Sequence, residues 1–286
     1  MYRVTLLVIS YLVCVCMHQG LVRGGCATSP DAQGHVVIPA SWTTVPESAY
    51  KSCSSMKSVL IHDRITTIGA NAFAQNKKLV SVAITDTASQ PSQLSVIGEL
   101  AFESDKLLTT FAIPASVSTI GSAAFGNNYY LYQVTFAKGS KLTAIGDRAF
   151  AVCWSLQRLH LPEGLLTIGS YAFQKCDCLN TIIFPASLLT IGDRAFYRCT
   201  GLGTITFPLD SKLETIGISA FAGLSTLTGE VSGPIRFDAP PLLSNVGYGA
   251  FMYTRLLFVT FGCQTPVTIG DFAFSAITQL MLPLTL

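Results

Sequence analysis

The residues of this 286-residue chain best suited to metal binding, nucleophilic catalysis or disulfide formation are its nine cysteines and four histidines. Four cysteines, Cys53, Cys153, Cys176 and Cys199, lie three residues after an aromatic residue. A slot that recurs in this way is typical of small buried side chains in a repeating fold. Two alternatives stay open for Cys26 and Cys53: a disulfide that closes the N-terminal end of the fold, or two free thiols.

The rest of the sequence contains no recognisable catalytic or metal-binding constellation. Cys176 and Cys178 have no second cysteine pair and no histidine beside them, so we expect no metal and no cofactor. The chain has no His-Glu-x-x-His motif, Gly-x-Ser-x-Gly motif, phosphate-binding loop or dinucleotide fingerprint. The sequence therefore predicts a binding protein and not an enzyme.

The composition excludes two classes of protein. Half of the residues are apolar and only 12% are charged, whereas disordered chains combine low hydrophobicity with high charge. The net charge is +2, without a run of Lys or Arg. We therefore expect a folded chain that does not bind nucleic acid.

The first 25 residues are predicted to be a signal peptide and a short leader. Arg3 is followed by an apolar run of 14 residues at 4–17, which suits the core of a signal peptide. This run is too short to span a bilayer comfortably. We expect a secreted or cell-surface protein with no membrane span in the mature chain, comprising an N-terminal flank (26–34) and one domain (35–286).

A six-residue motif, Ile-Gly-x-x-Ala-Phe, recurs along almost the whole of that domain. Its copies begin at Val45 (a degenerate copy), Ile68, Ile97, Ile120, Ile145, Ile168, Ile191, Ile216, Val246 and Ile269. The commonest interval is 23 residues, and the longer intervals locate insertions at the surface. The motif phenylalanines are predicted to form an inward-facing ladder: Phe73, Phe102, Phe125, Phe150, Phe173, Phe196, Phe221, Phe251 and Phe274.

A second pattern, Leu-x-x-apolar-x-apolar and often a Pro, lies between successive motifs. Leu156-Gln-Arg-Leu-His-Leu-Pro162 is one example. The alternation predicts a short strand, and the Pro, which has no N–H to donate, ends it. After the strand, the motif Gly is expected to permit a turn without a Cβ clash. The residues after it are expected to form short helical turns, capped by residues such as Asp147 and Asp193.

A single unit of this size cannot fold alone. It buries too little apolar surface to offset the conformational entropy lost on ordering about 23 residues. The units must therefore stack as successive rungs, with their strands in parallel.

The combined pattern resembles the BspA-like class of leucine-rich repeats over residues 35–286. This resemblance implies an α/β solenoid, a horseshoe of about ten 23-residue rungs with a parallel β-sheet and short helical turns. It also implies exposure on a cell surface or secretion. Members of the class are usually linked to adhesion and to the binding of host or matrix proteins.

The candidate binding surface is the strand face, meaning the outward-facing positions of the Leu-x-x-apolar-x-apolar strands. Most of its residues are small and weakly polar. Tyr132, Gln133, Arg158 and His160 form its most feature-rich patch, and Tyr and Arg are enriched in interface hot spots. The alternative is that these four are ordinary solvent-facing residues.

We therefore predict a leucine-rich-repeat protein that recognises a protein or another extracellular macromolecule through the strand face, in adhesion or protein–protein recognition. The alternative is a structural or antigenic display protein without a single dedicated ligand. The last predicted strand lies in the segment Ile277-Thr-Gln-Leu-Met-Leu-Pro283, and the array then stops without a polar cap. Either the sequence is truncated, or this end docks onto something. Self-association through this C-terminal edge is a further expectation.

Overall fold

The computed structural model describes residues 25–203, 205–224, 235–254, 256–261, 266–275 and 279–281. These residues form twenty β-strands and no helix. Successive strands pair in parallel and in register from one repeat to the next. The result is the parallel solenoid that the repeats predict; the run at 4–17 lies outside the described residues.

The longer strands form the strand face, in three sheets of three, four and three strands. The first sheet contains β1 (His35–Val37), β3 (Ser58–Ile61) and β5 (Ser81–Ile84); the second contains β7 (Thr110–Ile113), β9 (Gln133–Phe136), β11 (Arg158–His160) and β13 (Thr181–Ile183); the third contains β16 (Ile235–Ala239), β18 (Leu256–Phe261) and β20 (Gln279–Met281). Between β13 and β16, a bridge from Ile205 to Phe237 continues the face.

Two-residue strands that end at the motif's first residue form a second, continuous ten-stranded sheet. They are β2 (Thr44–Val45), β4 (Thr67–Ile68), β6 (Val96–Ile97), β8 (Thr119–Ile120), β10 (Ala144–Ile145), β12 (Thr167–Ile168), β14 (Thr190–Ile191), β15 (Thr215–Ile216), β17 (Asn245–Val246) and β19 (Thr268–Ile269). Because each rung contributes one of these strands, insertions elsewhere in a rung do not interrupt this sheet.

Buried and exposed side chains alternate along the strands, as the sequence predicts. In β7, Phe111 and Ile113 are buried, whereas Thr110 and Ala112 are exposed. In β11, Leu159 is buried between two exposed neighbours. The period of two residues therefore decides which side chains a partner can reach.

The phenylalanine ladder runs through the core. Eight of the nine predicted rings, from Phe73 to Phe251, are completely buried, and Phe274 packs against them. Successive rings stack nearly parallel, with centroids 5.1–5.4 Å apart. Tyr50, in the degenerate first motif, continues the ladder at its N-terminal end, 5.3 Å from Phe73.

The predicted helical turns are wrong, because the described residues after each motif Gly contain no helix. Their N–H groups bond to the next rung instead. Tyr171 N donates to Asp193 O and Phe173 N to Ala195 O, both at 2.8 Å. Residues four positions apart have positive φ in successive turns, including Tyr171 (59°) and Lys175 (56°). Every second N–H, as at Tyr171, Phe173 and Lys175, donates to the next rung towards the C-terminal end of the stack, so a helical ladder within the rung cannot form.

The predicted helix caps are also wrong, for the same reason. Asp147 Oδ1 accepts a hydrogen bond from Ser170 N, and Asp193 Oδ1 accepts one from Ile218 N, each at 2.7 Å. Each donor lies in the following rung. These aspartates therefore join neighbouring rungs and do not cap a helix.

The motif glycines avoid a Cβ clash, as predicted, but the clash is with the preceding rung and does not arise from the conformation of the turn. Positive φ occurs at other glycines, not at the second position of the motif. A Cβ on Gly146 would lie 2.7 Å from the backbone of Ile120 and Gly121, and one on Gly192 would lie 2.8 Å from Gly169. The glycine is therefore needed because the preceding rung approaches too closely for a side chain.

Candidate binding surface on the strand face

The structure brings Tyr132, Gln133, Arg158 and His160 together. Tyr132 immediately precedes β9, Gln133 begins it, and Arg158 and His160 begin and end the adjacent strand β11. Gln133 pairs directly with Arg158 across the two strands. All four side chains are exposed. With Gln157 they line an open depression of about 530 Å³, so the residues predicted from alternation share one concave site.

Arg158 sets the charge of this part of the surface. The outward positions of β1 to β13 on the strand face are His35, Val37, Ser58, Leu60, Ser81, Ala83, Thr110, Ala112, Gln133, Thr135, Arg158, His160, Thr181 and Ile183. None of these is Asp or Glu. Within the described part of the chain, Arg158 forms no ion pair, so its guanidinium is available to a partner.

An apolar depression, which was not predicted from the sequence, adjoins the first one. It measures about 410 Å³ and is lined by Leu107, Thr109, Tyr130, Tyr132, Ser155 and Gln157. Tyr130 is 58% exposed, Tyr132 45% and Leu107 41%. A signal was present: in the run Tyr129-Tyr130-Leu131-Tyr132, only Leu131 occupies a position that the repeat reserves for the core.

A short aromatic rim continues from this depression. Tyr129 stacks on Trp154 with ring centroids 4.2 Å apart. The ammonium group of Lys106 lies 4.9 Å from the Tyr129 ring centroid. Since Trp154 is 44% exposed, the rim presents a rigid aromatic surface held in place by stacking.

Asn76, Asp105 and Asn128 occupy the slot that holds cysteine in other rungs, and all three are completely buried. Asn128 Nδ2 donates to the carbonyl oxygens of Phe102 and Phe125 at 2.9 Å each. Asp105 Oδ1 accepts a hydrogen bond from Asn76 N at 2.7 Å, whereas Asp105 Oδ2 has no partner. The fixed offset from the motif Phe could have revealed this polar segment of the ladder.

The buried cysteines fill the same slot. The thiols of Cys153, Cys176 and Cys199 each donate to a Phe carbonyl of the preceding rung, at 3.0–3.3 Å. Burial raises the pKa of the Cys153 thiol to about 12 and raises that of Cys176 as well. The Cys153 and Cys176 thiols are therefore protonated at neutral pH and are poor nucleophiles.

At the N-terminal end, the structure joins Cys26 to Cys53 in a disulfide with a Cα–Cα distance of 4.9 Å. Gly25, a residue of the predicted leader, donates its N–H to Lys51 O at 2.8 Å. The flank thus bonds to the first rung as a further rung would.

Two negative findings concern the described part of the chain. No group of three or more His, Cys, Asp or Glu side chains is arranged to hold a metal ion there. None of its segments is a helix of the length and apolarity needed to cross a membrane.

The repeat geometry agrees with a family match. The model of the family described as "BspA type Leucine rich repeat region (6 copies)" matches residues 33–142, 95–228 and 143–281. The chain belongs to this family. No curated protein matches the BspA-type chain.

The fold is shared with a solved structure. This BspA-type chain is similar to the pneumococcal vaccine antigen PcpA, with 18% identity and a TM-score of 0.52 over 92% of this chain and 79% of PcpA. It is also similar to a leucine-rich cell surface protein from Faecalibacterium prausnitzii, with 20% identity, a TM-score of 0.41 and coverages of 87% and 88%. A T. pallidum leucine-rich-repeat protein matches at 25% identity and a TM-score of 0.39 over 53% of this chain and 62% of its own.

Proposed function

We propose that this BspA-type protein is secreted or displayed on a cell surface and recognises a protein partner through the strand face. The observation that carries this proposal is the clustering of Tyr132, Gln133, Arg158 and His160 around one depression. Most other outward positions on β1 to β13 carry small or weakly polar side chains. Large aromatic and guanidinium groups supply most of the binding energy in protein interfaces.

The predicted location supports this function. The apolar run at 4–17 has the length of a signal-peptide core. Two of the structures similar to this chain are described as a vaccine antigen and as a cell surface protein. Exposure to other cells and to extracellular proteins is therefore part of the proposal, with adhesion as one use of the surface.

A non-enzymatic role is also part of the proposal. The side chains around the depression offer aromatic, amide, guanidinium and imidazole groups. The three cysteines of the ladder are buried and their thiols face backbone carbonyls. The groups around the depression are suited to non-covalent binding, and the buried thiols are suited to packing. Covalent catalysis needs an activated nucleophile that a substrate can reach.

The test compares strand-face variants with matched controls in binding to a panel of purified extracellular-matrix and cell-surface proteins. Tyr132→Ala and Arg158→Ala are expected to weaken binding to a recognised protein at least tenfold. Tyr253→Ala and Arg148→Ala remove the same side-chain types from exposed positions outside the strand face and are expected to change affinity less than twofold. Equal binding by all four variants would refute the strand-face patch, and no binding by the wild-type chain would favour the display alternative.

A further inference from the structure

We infer that the partner segment presents an apolar side chain close to a carboxylate, so that its apolar side chain enters the depression at Tyr130 and its carboxylate meets Arg158. This inference rests on the proposed function, because it specifies the chemistry of a protein bound at the same surface. It concerns the two adjoining depressions, of which the apolar one lies on the N-terminal side of the strands and the other contains Arg158.

The electrostatic part follows from the outward residues. Arg158 is the one formally charged side chain among the outward positions of β1 to β13, and these positions contain no carboxylate. Its guanidinium has no ion-pair partner among the described residues. A guanidinium binds a carboxylate through two parallel hydrogen bonds, which a neutral amide cannot reproduce. An acidic group is therefore the partner chemistry that complements the site.

Side chains with N–H donors line the same depression as the guanidinium. Gln133, Gln157 and His160 line the same depression as Arg158. Amide N–H groups can donate to the lone pairs of a carboxylate that the guanidinium leaves free. No negatively charged side chain lines this depression, so an incoming carboxylate meets donors without a repelling neighbour.

The apolar part lies on the N-terminal side of the same strands. Leu107, Tyr130 and Ser155 line the second depression, whereas Tyr132 and Gln157 line both. The shared wall means that one bound segment can occupy the two sites at once. Ser155, in a turn, lies three residues before Arg158, so the two are at most about 10 Å apart, the reach of three fully extended residues. An apolar side chain and an acidic side chain about three residues apart fit this spacing.

The experiment is a selection of random 12-residue peptides displayed on phage, with the full-length mature chain as the immobilised target. Parallel selections use R158Q and the control R148Q, which removes the same charge from the motif side of the stack. We expect wild type and R148Q to enrich peptides with Asp or Glu about three residues from Phe, Tyr, Trp or Leu. R158Q is expected to lose the acidic preference.

Selected peptides are then synthesised and their affinities measured by calorimetry. Replacing the acidic residue with its amide, or using R158Q, is expected to weaken binding at least tenfold, with R148Q within twofold of wild type. Raising the salt concentration from 0.05 M to 0.3 M is expected to weaken binding about threefold to fivefold, because screening reduces the attraction between exposed charges. Thermal unfolding of each variant establishes that the fold is intact.

The outcomes separate this inference from the proposed function. Peptides that lose binding with Y132A but show no acidic preference would overturn the inference and leave strand-face recognition standing. A selection that yields no peptide sensitive to either Tyr132 or Arg158 would overturn both.

Discussion

Asp105 illustrates how a single position can depart from a repeat without breaking it. Its carboxyl group lies in the interior, in the slot that holds Asn76 and Asn128 in the adjoining rungs. Burial raises the pKa of this carboxyl well above its ordinary value, and the Glu103 carboxylate raises it further, although the hydrogen bond from Asn76 N lowers it. A charged Asp105 is therefore unfavourable in the folded state.

We expect Asp105→Asn to raise the free energy of unfolding at pH 7 by about 1–3 kcal/mol, because an amide can donate where the carboxylate leaves an oxygen without a partner. A raised pKa contributes stability below the unfolded-state value near 4, which is lost as the pH rises towards the folded-state value. Wild type should therefore lose stability between pH 4 and pH 7, and the variant should lose less.

Denaturant unfolding across this pH range measures the difference. Asp210→Asn is the control, since Asp210 is exposed and should leave the pH profile close to that of wild type. If Asp105→Asn has the same pH slope as wild type, the Asp105 carboxyl does not titrate abnormally.

Substitutions at two glycines test whether the motif Gly is needed because neighbouring rungs approach closely or because the backbone must be flexible. A Cβ on Gly126 would have its nearest neighbours at 3.4–3.6 Å, and one on Gly146 would meet the backbone of the preceding rung at 2.7 Å. We expect Gly126→Ala to change the free energy of unfolding by less than about 1 kcal/mol in either direction. Gly146→Ala should destabilise the protein by about 2 kcal/mol or more, because rigid backbone atoms must shift.

Denaturant midpoints of the two variants test this comparison. Other rungs support the choice of control, because Ala74, Ala151 and Ala222 follow the motif Phe at the position of Gly126. Equal destabilisation by both substitutions would contradict close approach as the reason for the motif Gly.

At the scale of elements, the phenylalanine ladder joins each rung to the next. Phe173 is completely buried and its ring stacks between Phe150 and Phe196, at 5.4 Å and 5.2 Å. We expect Phe173→Ala to cost about 3–5 kcal/mol, because the cavity removes contacts with both neighbouring rungs. The measurement is again the denaturant midpoint. Tyr253→Ala, which truncates a ring that is 69% exposed, should leave the midpoint almost unchanged.

The strands could be predicted from the sequence because alternation and the repeat are independent signals that agree. In β11, the alternation predicts that Leu159 is buried and that Arg158 and His160 are exposed. The structure has this pattern. The helical turns were predicted wrongly because residues such as Tyr171 and Lys175, which have no glycine-like signature, take positive φ. Nothing in one rung's sequence reveals this conformation, because hydrogen bonds to the next rung stabilise it.

The candidate site was predictable in part for the same reason. The period of two residues places Gln133, Arg158 and His160 outward on adjacent strands. Leu107 and Tyr130 precede their strands and follow no period, so the apolar depression emerges only when the rungs are stacked.

For the whole molecule, stability depends on neighbouring rungs, so an unprotected end is its weakest place. The Cys26–Cys53 disulfide, with a sequence separation of 27, closes a loop whose entropy is worth about 3.5 kcal/mol. We expect reduction to increase hydrogen exchange at the first motif, Val45–Tyr50. The mid-stack motif Ile168–Phe173 is the internal control and should exchange as before.

Mass spectrometry of the non-reduced, unfolded protein tests the disulfide itself. Cys26 and Cys53 should resist alkylation, whereas the buried thiols Cys153, Cys176 and Cys199 should all react once unfolded. Alkylation of both Cys26 and Cys53 would show that the bond is absent.

The hydrogen bonds that replace the helical turns also give the stack a direction. Along this side, the alternate N–H groups donate towards the C-terminal end from rung to rung, as from Tyr50 to Ala72 and from Phe73 to Ala101. Their peptide dipoles therefore add, with partial positive charge at the C-terminal end and partial negative charge at the N-terminal end. Gly25 N and Ala27 N, which donate to carbonyls of the first rung, neutralise the negative pole. Along this edge the solenoid is therefore polar, and its two ends differ chemically: one side of each rung offers N–H groups and the other offers carbonyl oxygens.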